Sequence, residues 1–419
     1  MHRPLGRFEL AQVLTDAAAP LNAVVVVRLA PGPGREDLRR SLDVLRGRHP
    51  FLGVHLVRSR RGYAFADGGT PEIPVVHLAR RGEEHWRDVA EHELNKRFDV
   101  ERGPLLRLTC VEDADGCDLV LTFQHAIMDA TSATRLLHEL LERCAEPGAD
   151  VEPRAPLPPI EERFPAAFRG FGRRWRTALF MARQLADEAV YRRRMRGARR
   201  PPIAAAASNR VLTFELSPDQ TRALVRRSRR ERVSLASVAG AAALLALAER
   251  LYGGRRLPLR SLAFPNLRPH LRPRVEDADL ASCFVLMRLQ TSVDPREGLW
   301  PLARRLNAQT AAALRRGDKY LAAYLSPHLM RWLLRAGSQR MAQTAVSYTG
   351  SLELAPAYGE TRVLGLHAFV SDIPLGPEFT AQVRLAGGRL AWDVVYLDAD
   401  FERPEAAALA EGVRAWLTD

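Results

Sequence analysis

Residues 105–125, LLRLTCVEDADGCDLVLTFQH, are two apolar runs of strand length around an Asp/Gly turn, and they constrain the fold more than any other stretch. A hairpin here lays two antiparallel strands side by side. TSATRLLHELLERC follows at once, with Leu136, Leu137, Leu140 and Leu141 at helical spacing and Thr131 or Ser132 placed as N-cap. Strand, strand and capped helix in direct succession exclude an all-helical or an all-β chain.

The same mixture continues on both sides. NAVVVVRLA (22–30) reads as a strand, LRRSLDVLRGRHPFLGVHL (38–56) as a helix running into an extended segment, and EEHWRDVAEHELNKRF (83–98) as an amphipathic helix. VEPRAPLPPI (151–160) then breaks the pattern with four prolines. Beyond it RVLTFEL, SLAFPNL, CFVLMRLQ, TAVSYTG, TAQVRLA and GRLAWDVVY read as strands, alternating with helices that include 295–316 and 319–337. Ser217-Pro218 announces a helix in cap and first-turn positions. At 419 residues the chain exceeds one ordinary core and suits two. The expected architecture is α/β: a subdomain at 1–150, a Pro-rich and Arg-rich crossover at 151–205 and a second subdomain at 206–419.

Charge is unevenly spread. The net charge is +13, and residues 163–200 hold twelve arginines against only Asp187 and Glu188, a local net of +10. Trp175, Leu179, Ala182, Ala186 and Ala189 share one helical face there, so a helix with an apolar side and an arginine-decorated side is expected. Either the arginines are a solvated face, or they meet an anionic partner such as an acidic carrier protein, nucleotide phosphates or lipid head groups. No nucleic-acid readout motif accompanies them, so nucleic acid is not an expected partner.

The segment between Arg232 and Glu249 is uncharged but too short to span a bilayer, and is expected as a buried core helix. MHRPLGRFEL lacks an apolar signal region, which places the expected location in the cytoplasm, with a peripheral membrane position as the variant the arginines allow. The four cysteines form no CxxC and no zinc-like spacing; Cys110 and Cys117 could face each other across the hairpin, and reduced thiols are expected. No GxSxG elbow, Walker loop, GxGxxG after a strand or HExxH occurs, so neither a metal nor a tightly bound cofactor is expected.

The chemistry-bearing stretch is QHAIMDATS (124–132). An apolar strand delivers His125 at its end, a tight turn places Asp129 four residues on, and a helix begins. Imidazole titrates near neutrality, so it can take a proton from a hydroxyl or amine and return it to a thiolate. A carboxylate so near in the turn is better suited to buttressing the loop than to relaying protons. With eleven histidines the HxxxD spacing alone also arises by chance, and its surroundings have to decide.

Those surroundings resemble the HxxxD acyltransferase superfamily, which includes chloramphenicol acetyltransferase, plant acyl-CoA-dependent acyltransferases, condensation domains of nonribosomal peptide synthetases and mycobacterial polyketide-associated acyltransferases. The likeness runs nearly end to end. The RHP of residues 48–50, FDVERGPLLRL (98–108), QHAIMDATS, FPNLRPHLRP (264–273), VSYTGSLEL (346–354) and GGRLAWDVVY (387–396) resemble six blocks of the family, in order. The closest resemblance is to the stand-alone bacterial O-acyltransferases associated with polyketides. It implies two chloramphenicol-acetyltransferase-like mixed-sheet subdomains with a substrate channel between them and the histidine at its middle.

It implies that His125 is the general base and that Asp129 orients the loop by pairing with Arg268 across the domain interface. Ser347 and Thr349 are the corresponding oxyanion donors. The implied co-substrate is an acyl-CoA or a phosphopantetheinyl carrier-protein thioester, and the acceptor a small-molecule alcohol or amine. Arg192, Arg193, Arg194 and Arg196 are the candidates for docking a carrier protein or an anionic membrane surface. Departures exist: Gln124 precedes the histidine where many condensation domains have a second one, Ala130 replaces the usual glycine, Tyr348 the usual asparagine, and the DFGWG block of the plant enzymes is absent. They favour ester formation, with an amide-forming condensation enzyme or a degenerate carrier-protein-binding relative as alternatives.

Overall fold

Each of two mixed β-sheets carries its own hydrophobic core in a computed structural model, which describes residues 2–59, 62–148, 151–198, 200, 207–337, 339–350 and 354–419. The chain divides into two compact units that are not contiguous in sequence. The first comprises Met1–Arg163, Leu267–Cys283 and Leu352–Ser371, the second Phe164–Asn266, Phe284–Ser351 and Asp372–Asp419. The expected boundaries at 150 and 206 differ from this division, because two late segments fold with the N-terminal unit. Part of the expected crossover, residues 201–205, lies outside the described residues.

In the first unit six strands run in the order Ala357–Tyr358, Thr361–Val370, Asn22–Ala30, Cys117–Gln124, Leu106–Glu112, Val75–Ala79. All neighbours are antiparallel except the last pair. The central strand Asn22–Ala30 is covered on both faces, with Val24, Val26 and Val27 fully buried, which is why its valines run on without alternation. Helices Arg35–Arg48 and Ala130–Ala145 pack together beside the sheet through Leu38, Leu42, Leu45, Leu136, Leu137 and Leu140. The RHP block locks that pairing. His49 Nε2 lies 2.8 Å and Arg48 Nε 3.2 Å from the Glu139 carboxylate, which Arg135 also reaches at 2.7 Å. Burial alone would raise the Glu139 pKa, but these partners hold it down to about 2. Strand Thr361–Val370 carries no strand signal that stood out, and it belongs to this sheet only because it pairs with residues some 340 positions earlier, Phe369 opposite Val24.

In the second unit the order is Met287–Val293, Leu257–Ala263, Thr344–Gly350, Phe379–Ala386, Arg389–Leu397, Asn209–Glu215. The strand Thr344–Gly350 is parallel to both neighbours and the outer pairs are antiparallel. Helix Leu235–Tyr252, apolar and long enough by length and composition to cross a membrane, is mostly buried and forms the core as expected. Ser217 caps helix Pro218–Glu231, accepting from the Gln220 N–H at 3.2 Å.

The arginine-rich segment is the helix Gly170–Arg194, as expected, and its apolar face is the outer one. Trp175 and Leu179 point to solvent at 55% and 49% exposure. Part of the charge turns inward. Arg183 pairs with Asp318 at 2.9 Å, and Glu188 with the guanidinium of Arg260 at 2.7 Å. Arg260 is 1% exposed, and a buried charge left without a partner costs several kcal/mol. Glu188 supplies that partner from the inner side of the helix.

Candidate active site

The hairpin forms as expected, Leu106–Glu112 against Cys117–Gln124, and the second strand ends on Gln124. Gln124 is fully buried, and its side-chain oxygen accepts the Ala126 N–H at 2.6 Å, which starts the turn. His125 projects from this strand end. Its backbone N–H donates to the Leu21 carbonyl at 3.2 Å, and Phe123 stands edge-on to its ring.

The ring is oriented by the turn itself. Nδ1 of His125 lies 2.9 Å from the Met128 carbonyl oxygen. A carbonyl can only accept, so Nδ1 carries the proton and Nε2 keeps its lone pair in the neutral ring. Burial pulls the His125 pKa below the ordinary histidine value; the Met128 carbonyl and the Asp129 charge oppose that shift without cancelling it. The ring is therefore held neutral near pH 7, with one fixed tautomer.

Asp129 is the N-cap of helix Ala130–Ala145, where Thr131 or Ser132 had been expected. Oδ1 accepts the Ser132 N–H at 2.9 Å; Oδ2 accepts the Cys283 N–H at 2.9 Å and Arg268 Nη1 at 2.5 Å. A carboxylate reaches two amides and a guanidinium at once, which neither hydroxyl could do. Arg268 also donates through Nη2 to Ser132 Oγ at 2.8 Å, and Ser132 Oγ in turn accepts the Ala281 N–H at 3.0 Å. Burial works against the Arg268 charge, yet Asp129 leaves its pKa raised. With Arg268 at 2% and Asp129 at 6% exposure, this is a buried ion pair.

The pairing of Asp129 with Arg268 stands as the resemblance implied, but its location is corrected. Leu267–Cys283 returns to the first unit, so the bridge lies within that unit rather than across a domain interface. The Cys283 N–H and the Met128 carbonyl were not singled out in the sequence, and Ser132 was singled out only as a possible N-cap. The usable signal was Asp129 three residues before Ser132, the spacing of an N-cap and its N3 partner.

Ser347 and Thr349 belong to the second unit, on strand Thr344–Gly350, where Thr349 Oγ1 donates to the Val383 carbonyl at 3.4 Å. Arg192, Arg193, Arg194 and Arg196 are exposed at the end of helix Gly170–Arg194 and just beyond it. Among the described residues no cluster of three His, Cys, Asp or Glu side chains is placed to hold a metal ion. The four cysteines are free thiols.

Comparison with known structures settles the fold. The polyketide synthase associated protein 5 of Mycobacterium tuberculosis is 18% identical with a TM-score of 0.70, over 99% of this chain and 96% of that one. The trichothecene 15-O-acetyltransferase of Fusarium sporotrichioides is 13% identical with a TM-score of 0.77, over 100% and 95%. The condensation domain of the monacolin K polyketide synthase is 15% identical with a TM-score of 0.70, over 100% and 97%. The chain has the condensation-domain and chloramphenicol-acetyltransferase-like fold. Residues 205–388 of this acyltransferase-type fold also match the family model described as phthiocerol/phthiodiolone dimycocerosyl transferase C-terminus. No curated protein sequence matches the chain.

Proposed function

We propose that this protein transfers an acyl group from a CoA or carrier-protein thioester to the hydroxyl of a small-molecule acceptor, with His125 as general base. The observation that carries the reading is the Nδ1 contact to Met128, which fixes the neutral tautomer with its proton on Nδ1 and its lone pair on Nε2. In this reaction Nε2 takes the acceptor's hydroxyl proton as its oxygen attacks the thioester carbonyl. A tetrahedral oxyanion forms and collapses, the C–S bond breaks, and the imidazolium returns the proton to the departing thiolate. Protons and charge balance without a covalent enzyme intermediate. Asp129 and Arg268 do no chemistry here; they hold the turn that holds the ring. Ser347 is the proposed donor to the oxyanion; the Thr349 hydroxyl proton is already given to the Val383 carbonyl.

An ester product is favoured because the matching family model is described as that of a dimycocerosyl transferase and a similar fold belongs to a 15-O-acetyltransferase. Carrier-protein delivery is supported by the similar folds from polyketide synthase systems. The deciding experiment incubates the protein with a panel of acyl-CoAs and acylated carrier proteins, with alcohols and amines as acceptors, and follows free thiol. Alcohol-dependent thiol release is expected. Release with amines alone would move the reading to amide formation, and no release with any pair would contradict it.

A further inference from the structure

The helix Gly170–Arg194 is turned inside out for a surface helix. Phe171 is 81% exposed, Trp175 55%, Leu179 49% and Leu185 64%. Met181 and Val190 extend the same outward stripe at 39% and 46% exposure. The inward side packs Tyr191 into the core and is otherwise joined through polar contacts, Arg183 to Asp318, Gln184 to Arg288 and Glu188 to Arg260. The neighbouring helix Asp318–Ala336 lies antiparallel against it, since Arg183 meets Asp318 while Arg173 stacks over Tyr324. That neighbour adds Leu329 and Trp332, each 45% exposed. Of the large hydrophobic side chains that the described residues expose, most lie on these two helices. An apolar stripe about 30 Å long, 1.5 Å per residue, is not left in water without a reason.

We propose that this face seats the protein on an anionic lipid surface. The distribution of charge selects the occupant. Along the stripe itself only Arg174 and Asp187 are charged and exposed, and the remaining exposed arginines gather at its ends: Arg169 at one, Arg192, Arg193, Arg194 and Arg196 at the other. Phenylalanine, leucine and methionine enter the boundary between head groups and acyl chains, tryptophan sits at that boundary, and flanking guanidinium groups bind lipid phosphates. Docking an acidic carrier-protein helix would instead need arginines along the contact, yet Arg173, Arg176 and Arg183 turn away from it. A second copy would bring clusters of like charge together. The proposal concerns where the protein sits and stands whether or not the acyl-transfer reading holds.

The test is flotation of the full chain with vesicles of phosphatidylcholine, with and without a one-third mole fraction of phosphatidylglycerol, at about 0.15 M salt. Binding is expected to the anionic vesicles, with a blue shift of tryptophan emission. Changing Trp175→Ser, Leu179→Ser and Leu185→Ser together should lower partitioning about tenfold or more. Changing Arg192→Gln, Arg193→Gln and Arg194→Gln together should do so by at least about tenfold. Both variants alter exposed side chains, so each should keep the wild-type melting temperature. No binding, or equal binding to both lipid mixtures, would overturn the proposal. So would a concentration-dependent dimer, or a carrier-protein complex, that the serine variant abolishes.

Discussion

Arg268 beside the His125 turn is 2% exposed and serves the Asp129 carboxylate, the Ser132 hydroxyl and the carbonyls of Asp279 and Ala281, with Asp277 at 3.9 Å. The helix Gly170–Arg194 and its extension carry far more guanidinium, yet they expose Phe171 at 81% and turn half of their charge inward. In the first region a single buried cation fixes the geometry of a loop to within hydrogen-bond tolerance. In the second, a buried cation on another element, Arg260, anchors the inner side of a helix at Glu188. The lesson is that the arginine count says little, whereas the one arginine buried against a carboxylate decides the local structure in both places.

Breaking the comparison at its stronger end gives the largest effect. Asp129→Asn leaves Arg268 buried without its counter-charge, and a cost of about 3–5 kcal/mol is expected in urea unfolding monitored by circular dichroism. Arg268→Gln should cost a similar amount. The double variant should lose less than the sum, with a coupling of at least about 1 kcal/mol. Strictly additive losses would show that the pair does not interact. Ser132→Ala removes the hydroxyl that bridges Arg268 and the Ala281 N–H and is expected to cost about 1–3 kcal/mol. A loss below about 0.5 kcal/mol would show that the bridge is dispensable. The smallest effect belongs to the helix end. With a soluble acyl-CoA as donor, changing Arg192→Gln, Arg193→Gln and Arg194→Gln together should leave kcat/KM within about twofold, because exposed charges are screened by salt. A large loss would place those arginines in the acyl-transfer site or in folding.

Much of this was legible in the sequence for local reasons. Residues 105–145 are strand, turn, strand, turn and helix in direct succession, and each signal lies within a few residues of the structure it specifies: the Asp/Gly turn, the alternating apolar run, the leucines at helical spacing. His125 and Asp129 were visible for the same reason. What was hidden depended on distant partners. Strand Thr361–Val370 becomes a strand of the first sheet by pairing with Asn22–Ala30. The inner side of helix Gly170–Arg194 is held in part by Arg260, 72 residues from Glu188. Apolar spacing named the right stripe of that helix, but spacing cannot say whether a stripe faces the core or the outside. The N-cap was misplaced by two or three residues because Asp129 was taken as a partner of arginine alone, and a carboxylate can fill both roles at once.

The central claim is that a neutral His125, locked by Met128 with Nε2 unprotonated, is the base. It is tested most directly by the pH dependence of kcat/KM for acceptor-dependent thiol release, in the wild type and in His125→Ala. The base is active when unprotonated, so activity falls as pH drops through the folded-state pKa. Burial places that pKa below the ordinary value near 6.5. The account predicts a flat profile around pH 7, an acid limb lying below that ordinary value, and a loss of about two to four orders of magnitude without the limb in His125→Ala. A folded His125→Ala protein with near-wild-type turnover, or with the same acid limb, would contradict it.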